Sequence, residues 1–331
     1  MSDKTKIEWT DATINVINGC TVVSPGCTNC YAMKQAHRFP VRQGLTRQTK
    51  GGMVWTGEVR FHEPALQQVL RWKRPRKIFW NAHGDTFHEA VPSLWIDRCF
   101  AVMAATPQHI HQVLTKRPER LREYAYQAMG CGEHWLAHCE LSHAPMWPLP
   151  NVWLGVSVED QPRAEERIPI LLDTPAAIRW LSMEPLLGEV DLSPWLGFWE
   201  PGEQIRTPDG GSYTTETPRA PEPLIDWVVL GGESGPHARP MHPAWERAVR
   251  AQCEAAGVPY LFKQWGEWGH PRPPIRMADD PAGSFRKVTR CWFDKKEVKV
   301  HQFANGESVC KVGKKAAGRM VDGRTFDGYP A

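Results

Sequence analysis

Two apolar runs, Asn151-Val-Trp-Leu-Gly-Val-Ser-Val158 and Ala177-Ile-Arg-Trp-Leu-Ser-Met-Glu184, flank a stretch over residues 163–172 with helical spacing. Strand, helix and strand in that order make a βαβ unit, whose strands run parallel. The rhythm extends both ways. Upstream, Thr13-Ile-Asn-Val-Ile17, Lys77-Ile-Phe-Trp-Asn-Ala82 and His109-Ile-His-Gln-Val-Leu-Thr115 read as strands. Downstream, Asp226-Trp-Val-Val-Leu-Gly-Gly232 and Pro259-Tyr-Leu-Phe-Lys-Gln-Trp265 do the same. Helical spacing recurs over residues 92–105, 119–129 and 243–256, the last stopping at Gly257, a natural C-cap. Seven strands with helices between most of them predict parallel strands in βα units, an α/β fold over residues 1–266. Insertions are expected at about 130–150 and 197–223. Residues 267–331 lose the alternation and predict a small α+β extension packed on the barrel, with a hairpin over 287–294 and 297–300.

Composition sets the outer limits. Of the 331 residues 41% are hydrophobic, enough for a large core. No run of 18 apolar residues suggests a membrane span. A net charge of +3 is too mild to mark a nucleic-acid binder by itself. Nine cysteines, odd in number and mostly scattered, with no apolar signal segment, predict a reducing cytoplasm. Sixteen tryptophans offer stacking faces but fill cores equally well.

The first strand runs straight into Gly19-Cys20-Thr-Val-Val-Ser-Pro-Gly26-Cys27-Thr-Asn-Cys30-Tyr31, a Cys-x6-Cys-x2-Cys loop. Three thiolates without a fourth close by are what a [4Fe–4S] cluster needs if one iron is to stay open. Zinc on Cys20, Cys27, Cys30 and His37 is the rival. Incidental thiols are the third reading.

Polar groups end every apolar run: Gly84-Asp85, Thr115-Lys116-Arg117, Ser157 and Glu159, Ser182 and Glu184, Gly231-Gly232-Glu233-Ser234, Lys263-Gln264. A parallel barrel gathers these ends on one face, where barrel enzymes keep their active sites. The cysteine loop opens on that face too.

These residues resemble the radical S-adenosylmethionine superfamily, and within it a phage- and prophage-associated three-cysteine branch. The resemblance runs from Ile7-Glu8-Trp9-Thr10 and the cysteine loop through Leu114-Thr115-Lys116-Arg117-Pro118 and Trp180-Leu-Ser-Met-Glu184-Pro185-Leu186. It continues in Gly231-Gly-Glu-Ser-Gly235, Phe262-Lys-Gln-Trp-Gly266 and the terminal Gly-Arg and Asp-Gly-Arg run. It implies a partial (β/α)6-type parallel barrel over residues 1–266 and a cluster on Cys20, Cys27 and Cys30, with S-adenosylmethionine at the open iron and a donor such as flavodoxin or ferredoxin supplying the electron. The first gap departs from the superfamily's commonest spacing by three residues, and Asn29 stands where an aromatic precedes the third cysteine. The Gly-Gly-Glu segment expected after the second strand is Asn81-Ala-His-Gly84-Asp85 here, which makes Asp85 the candidate for the methionine amine. Ser157 and Glu159 are candidates for ribose hydroxyls, Glu184 for cofactor or substrate, and Gly231 and Gly232 for a close backbone approach. Asp85 as a helix cap and Glu184 as a surface carboxylate are the plain alternatives.

For substrate, Lys116, Arg117 and Arg120 follow the third strand and suit an anion. Lys263 and Gln264, with Trp265 and Trp268 after them, pair charge with stacking and suit a nucleobase in nucleic acid or a nucleotide. A peptide or small molecule is the alternative substrate, and the two tryptophans can instead pin the tail to the barrel. Arg71-Trp-Lys-Arg-Pro-Arg-Lys77 precedes the second strand, so it belongs on the opposite face.

Overall fold

The computed structural model describes residues 5, 7–130, 146–197, 204–206, 212–214, 224–269, 290–293 and 296–331. Seven strands form one parallel sheet in strictly sequential order: β1 (Ala12–Ile14), β2 (Lys77–Trp80), β3 (Ile110–Thr115), β4 (Val152–Ser157), β5 (Ile178–Met183), β6 (Trp227–Gly231) and β7 (Tyr260–Gln264). The sheet curls into a half-barrel flanked by helices. Five helices lie between strands: α1 (Glu63–Arg71), α2 (Ser93–Ala104), α3 (Pro118–Gly130), α4 (Gln161–Leu172) and α5 (Pro243–Ala256). Only β5 and β6 lack one of this length among the described residues, and the second insertion falls between them. Residues 131–145, 198–203, 207–211 and 215–223 of the two expected insertions lie outside the described residues.

Side-chain alternation along each strand sorts the interior into two cores. Ile78, Trp80, Leu154, Val156, Leu181, Met183, Val228, Leu230 and Phe262 pack toward the helices. Phe79, Trp153, Trp180, Trp227, Val229 and Leu261 fill the concave face, where Trp9 joins them. Trp9 meets Phe79, Trp180 and Trp227 edge-on, with ring centroids 4.7, 5.2 and 6.1 Å away. Gly155 makes room for this layer, since a Cβ there would stand 2.5 Å from the Trp180 ring. Much of the tryptophan excess therefore builds the floor of the half-barrel.

Helix ends follow local chemistry. Asp160 caps α4 by accepting from the Arg163 N–H. α5 starts at Pro243 behind an accepting His242 ring and stops at Gly257, whose φ is +67°. The sequence pattern missed α1, which has Pro64 in its first turn and buries only Ala65, Leu66 and Val69.

The C-terminal part adds a four-stranded sheet ordered Trp268–Gly269, Ser308–Lys311, Lys296–Gln302 and Arg290–Phe293. Arg290–Phe293 pairs antiparallel with Lys296–Gln302, within the expected hairpin, whose residues 287–289 and 294 lie outside the described ones. The final segment then runs back along the free edge of β7: Phe262 N–H donates to Phe326 O, and Gly328 N–H to Tyr260 O. Tyr329 stacks on Trp227 at 5.2 Å. An exposed edge strand is thereby covered. Among the described residues no helix is long and apolar enough to cross a membrane.

Candidate functional site

The C-terminal ends of the strands open on a cavity of about 1060 Å³ that all three loop cysteines line. The loop leaves β1 at Gly19 (φ +99°), where a Cβ would stand 2.1 Å from Glu58 O. Gly19 N–H donates to His83 O, tying the loop to the end of β2. A 3-10 turn over Pro25–Cys27 carries the second cysteine, and Cys30 is the first residue ahead of the short helix Tyr31–Gln35. Burial and the Asp85 carboxylate push the Cys20 thiol up to about 12, against the pull of Arg117, and the Cys30 and Cys27 sulfurs push it further. Burial, opposed by backbone hydrogen bonding and reinforced by Cys27, raises Cys30 as well. The three sulfurs thus feel one another across the same patch. Among the described residues no three His, Cys, Asp or Glu groups converge as tightly as a single metal ion requires. His37, the expected fourth zinc ligand, is exposed and does not line the cavity.

Buried carboxylates hold the loop in place. Glu159 is fully buried beneath it, accepting from Ser24 Oγ at 2.6 Å, Lys116 Nζ at 2.5 Å and Arg167 Nη1 at 3.1 Å. Its expected ribose contact is therefore corrected: the side chain is a strut under the loop, outside the cavity lining. Asp85 accepts from Phe87 N, Thr115 Oγ1, Lys116 N and Arg117 Nη1. Four donors occupy the four or so lone-pair sites of this carboxylate, which joins the ends of β2 and β3 while lining the cavity. Glu233 accepts from Asn29 Nδ2 at 3.0 Å and from Arg239, whose Nη2 also donates to Pro25 O at 3.0 Å. The loop after β6 thus clasps the cysteine loop across the mouth.

The expected substrate cations are committed elsewhere. Lys116 is spent on Glu159. Arg117 is buried, pairing with Asp85 at 2.9 Å and Glu89 at 2.8 Å, donating to Thr21 Oγ1 at 2.6 Å and lying 3.8 Å from Cys20 Sγ. Arg120 donates to the His88 and Val91 carbonyls. Lys116 and Arg117 still line the cavity while bracing the loop, and Arg120 does not line it. Lys263 and Gln264 do line the cavity, holding Glu184 at 2.6 and 2.8 Å. Ser157, Ser182 and Gly232 line it with them, and Gly231 backs onto Glu184. Trp265 is buried outside the lining, its indole N–H given to Met320 O at 2.9 Å, and Trp268 donates to Ala238 O. Stacking by Trp265 is corrected: both tryptophans pin the C-terminal part. The Arg71–Lys77 patch precedes β2 and sits at the opposite end, with Arg76 over the Trp72 ring and Lys77 over Tyr329.

Sequence reasoning passed over Arg42, His83 and Trp9, which line the cavity, and Arg239, which braces its rim. Arg42 sits in a short loop with no periodicity. Glu233 was visible only as the literal Gly-Gly-Glu.

One glycine in the long cysteine gap has a direct test. A Cβ on Gly26 would stand 2.4 Å from Glu159 Oε1 and 2.5 Å from its Cγ. Glu159 cannot give way, because three partners fix it. Gly26→Ala is expected to lower the melting temperature. An unchanged melting curve would show that the loop floats free of Glu159.

No curated protein and no solved structure matches the chain. A family model matches residues 4–330, nearly the whole sequence, and the chain belongs to that family, described as protein of unknown function (DUF5131).

Proposed function

We propose that this chain is a radical S-adenosylmethionine enzyme, holding a [4Fe–4S] cluster on Cys20, Cys27 and Cys30 and modifying or repairing a nucleobase in nucleic acid or a nucleotide. One observation carries the reading: three thiols on the loop after β1 line a cavity of about 1060 Å³ at the mouth of a parallel half-barrel, with no fourth cysteine in the lining among the described residues. The donor set fits a cluster that keeps one iron for an outside ligand, whereas a structural zinc site needs a fourth protein ligand. When bound, cluster and S-adenosylmethionine supply reductive cleavage of the sulfonium and a 5′-deoxyadenosyl radical for hydrogen abstraction.

The chain's own residues do the rest. Arg117 bridges Asp85 and Thr21 and directs an N–H toward Cys20, fixing the loop at the strand ends. Ser157, Ser182, Gly232 and the Glu184–Lys263–Gln264 group offer hydrogen bonds to bound ligand. The tryptophan floor keeps water out from below. Tyr31 and Phe39 give the cavity exposed aromatic faces that suit a planar base. The reducing cytoplasm, with a flavodoxin or ferredoxin as donor, is the setting this chemistry needs.

The test is anaerobic purification and reconstitution, with iron and sulfide assayed per chain. Adding dithionite and S-adenosylmethionine should yield 5′-deoxyadenosine, read by mass spectrometry. A colourless protein carrying stoichiometric zinc overturns the proposal.

A further inference from the structure

At the mouth, Lys116, Arg117, Lys263 and Arg239 are each paired with a carboxylate. Arg42 is different. It lines the cavity, is 5% exposed, and donates through Nε to Asn18 Oδ1 at 2.8 Å. Its Nη1 is buried without a hydrogen-bond partner. Among the described residues no carboxylate pairs with it. Burial pulls its pKa below the ordinary value, and the Tyr31 phenol is the acidic group that opposes this. A buried cation without a counter-ion is costly, so such groups are paired or meet a ligand's charge.

The surroundings describe that ligand. The Arg42 guanidinium lies 4.4 Å from the centre of the Phe39 ring. His83 sits between Tyr31 and Phe39, with ring centroids 5.6 and 5.9 Å away, and its Nδ1 also lacks a partner. Burial, with Arg42 adding to it, pulls His83 down to about 3, so the imidazole is neutral. Tyr31 and Phe39 are 47% and 40% exposed. A charged fork stands at the edge of an aromatic wall.

We propose that Arg42 anchors an anion in this cavity: its guanidinium, which lacks a carboxylate partner, takes a carboxylate or phosphate oxygen of a ligand whose planar group lies along Tyr31, Phe39 and His83. Arginine suits both anions because its planar N–H groups match their oxygens. The inference takes from the functional reading only that this cavity is the working site. It does not need the cluster.

The test is a tryptophan-fluorescence titration of anaerobically prepared protein with two probe pairs. Adenosine 5′-monophosphate against adenosine reads phosphate, and S-adenosylmethionine against its decarboxylated form reads carboxylate. Wild-type protein should prefer the anionic member of one pair by about tenfold to a hundredfold. Arg42→Gln should erase that preference and leave the other member's affinity unchanged. The pair that responds identifies the anion. Equal binding within both pairs by wild-type protein overturns the proposal without any variant, as does a preference that survives Arg42→Gln. A chain that lacks a cluster yet keeps an Arg42-dependent preference would sink the functional reading and leave this one standing.

Discussion

On the proposed cluster ligation, replacing any one of Cys20, Cys27 or Cys30 with alanine will leave the anaerobically reconstituted chain colourless, with iron lost rather than merely reduced. The three thiols come from one loop whose two turns are set by the 3-10 segment Pro25–Cys27 and by the helix that begins after Cys30. Among the described residues no other cysteine lines the cavity to replace a missing one. Cys99 lies in α2, Cys253 in α5 and Cys310 in the C-terminal sheet, each buried away from the cavity. Alanine at those three positions is the control and should keep full iron. Cluster ligation requires thiolates, so a bound cluster would have to overcome the high pKa that burial imposes on Cys20 and Cys30, and its positive charge would do so. The measurement is iron per chain with the visible spectrum. A single-alanine variant that keeps about four irons per chain would remove that cysteine from the ligand set.

Glu159→Ala should cost about 3–5 kcal/mol of folding stability, because it strands two cations that the fold buries against it. Arg167 is 1% exposed and Lys116 is largely covered, so neither can recover its hydration. The same substitution frees Ser24 and leaves the cysteine loop without its floor, so iron loading should fall together with stability. Acid should act in the same direction. Burial by itself would raise the Glu159 pKa, but Lys116 and Arg167 overcome it and hold the carboxyl below its ordinary value. A group whose folded pKa is depressed stabilises the fold above its unfolded pKa and loses that contribution as pH falls through the folded value. Urea midpoints of the wild type should therefore drop on acidification by more than those of Glu159→Gln. Parallel curves for the two proteins would show that the ion pairs contribute nothing net.

All seven strands were legible because a parallel sheet buried on both faces writes near-continuous apolar runs. α5 was legible to the residue, since His242, Pro243 and Gly257 mark its ends by local chemistry. α1 was not, because three buried side chains over nine residues leave too little pattern. The cysteine loop was found by spacing, and its place at the cavity follows from its position after β1. The assignments to Glu159 and Trp265, which fall outside the cavity lining, went astray for one reason. Each side chain ends in a partner that sequence proximity does not reveal.

Sequence by itself determined the α/β class, the order of the strands and the fact that three thiols emerge at their C-terminal ends. Those properties depend on period and position, which are local. Tertiary structure alone decided which charges are spent and which are left for a ligand. Lys116 meets a carboxylate 43 residues away, Asn29 meets Glu233 across 204, and the tail reaches Glu8 across 321. Ion pairs neutralise whatever comes within a few ångströms, and that distance is set by how the half-barrel curls, so Arg42 emerges as a buried cavity cation without a carboxylate partner among the described residues only once the chain is folded.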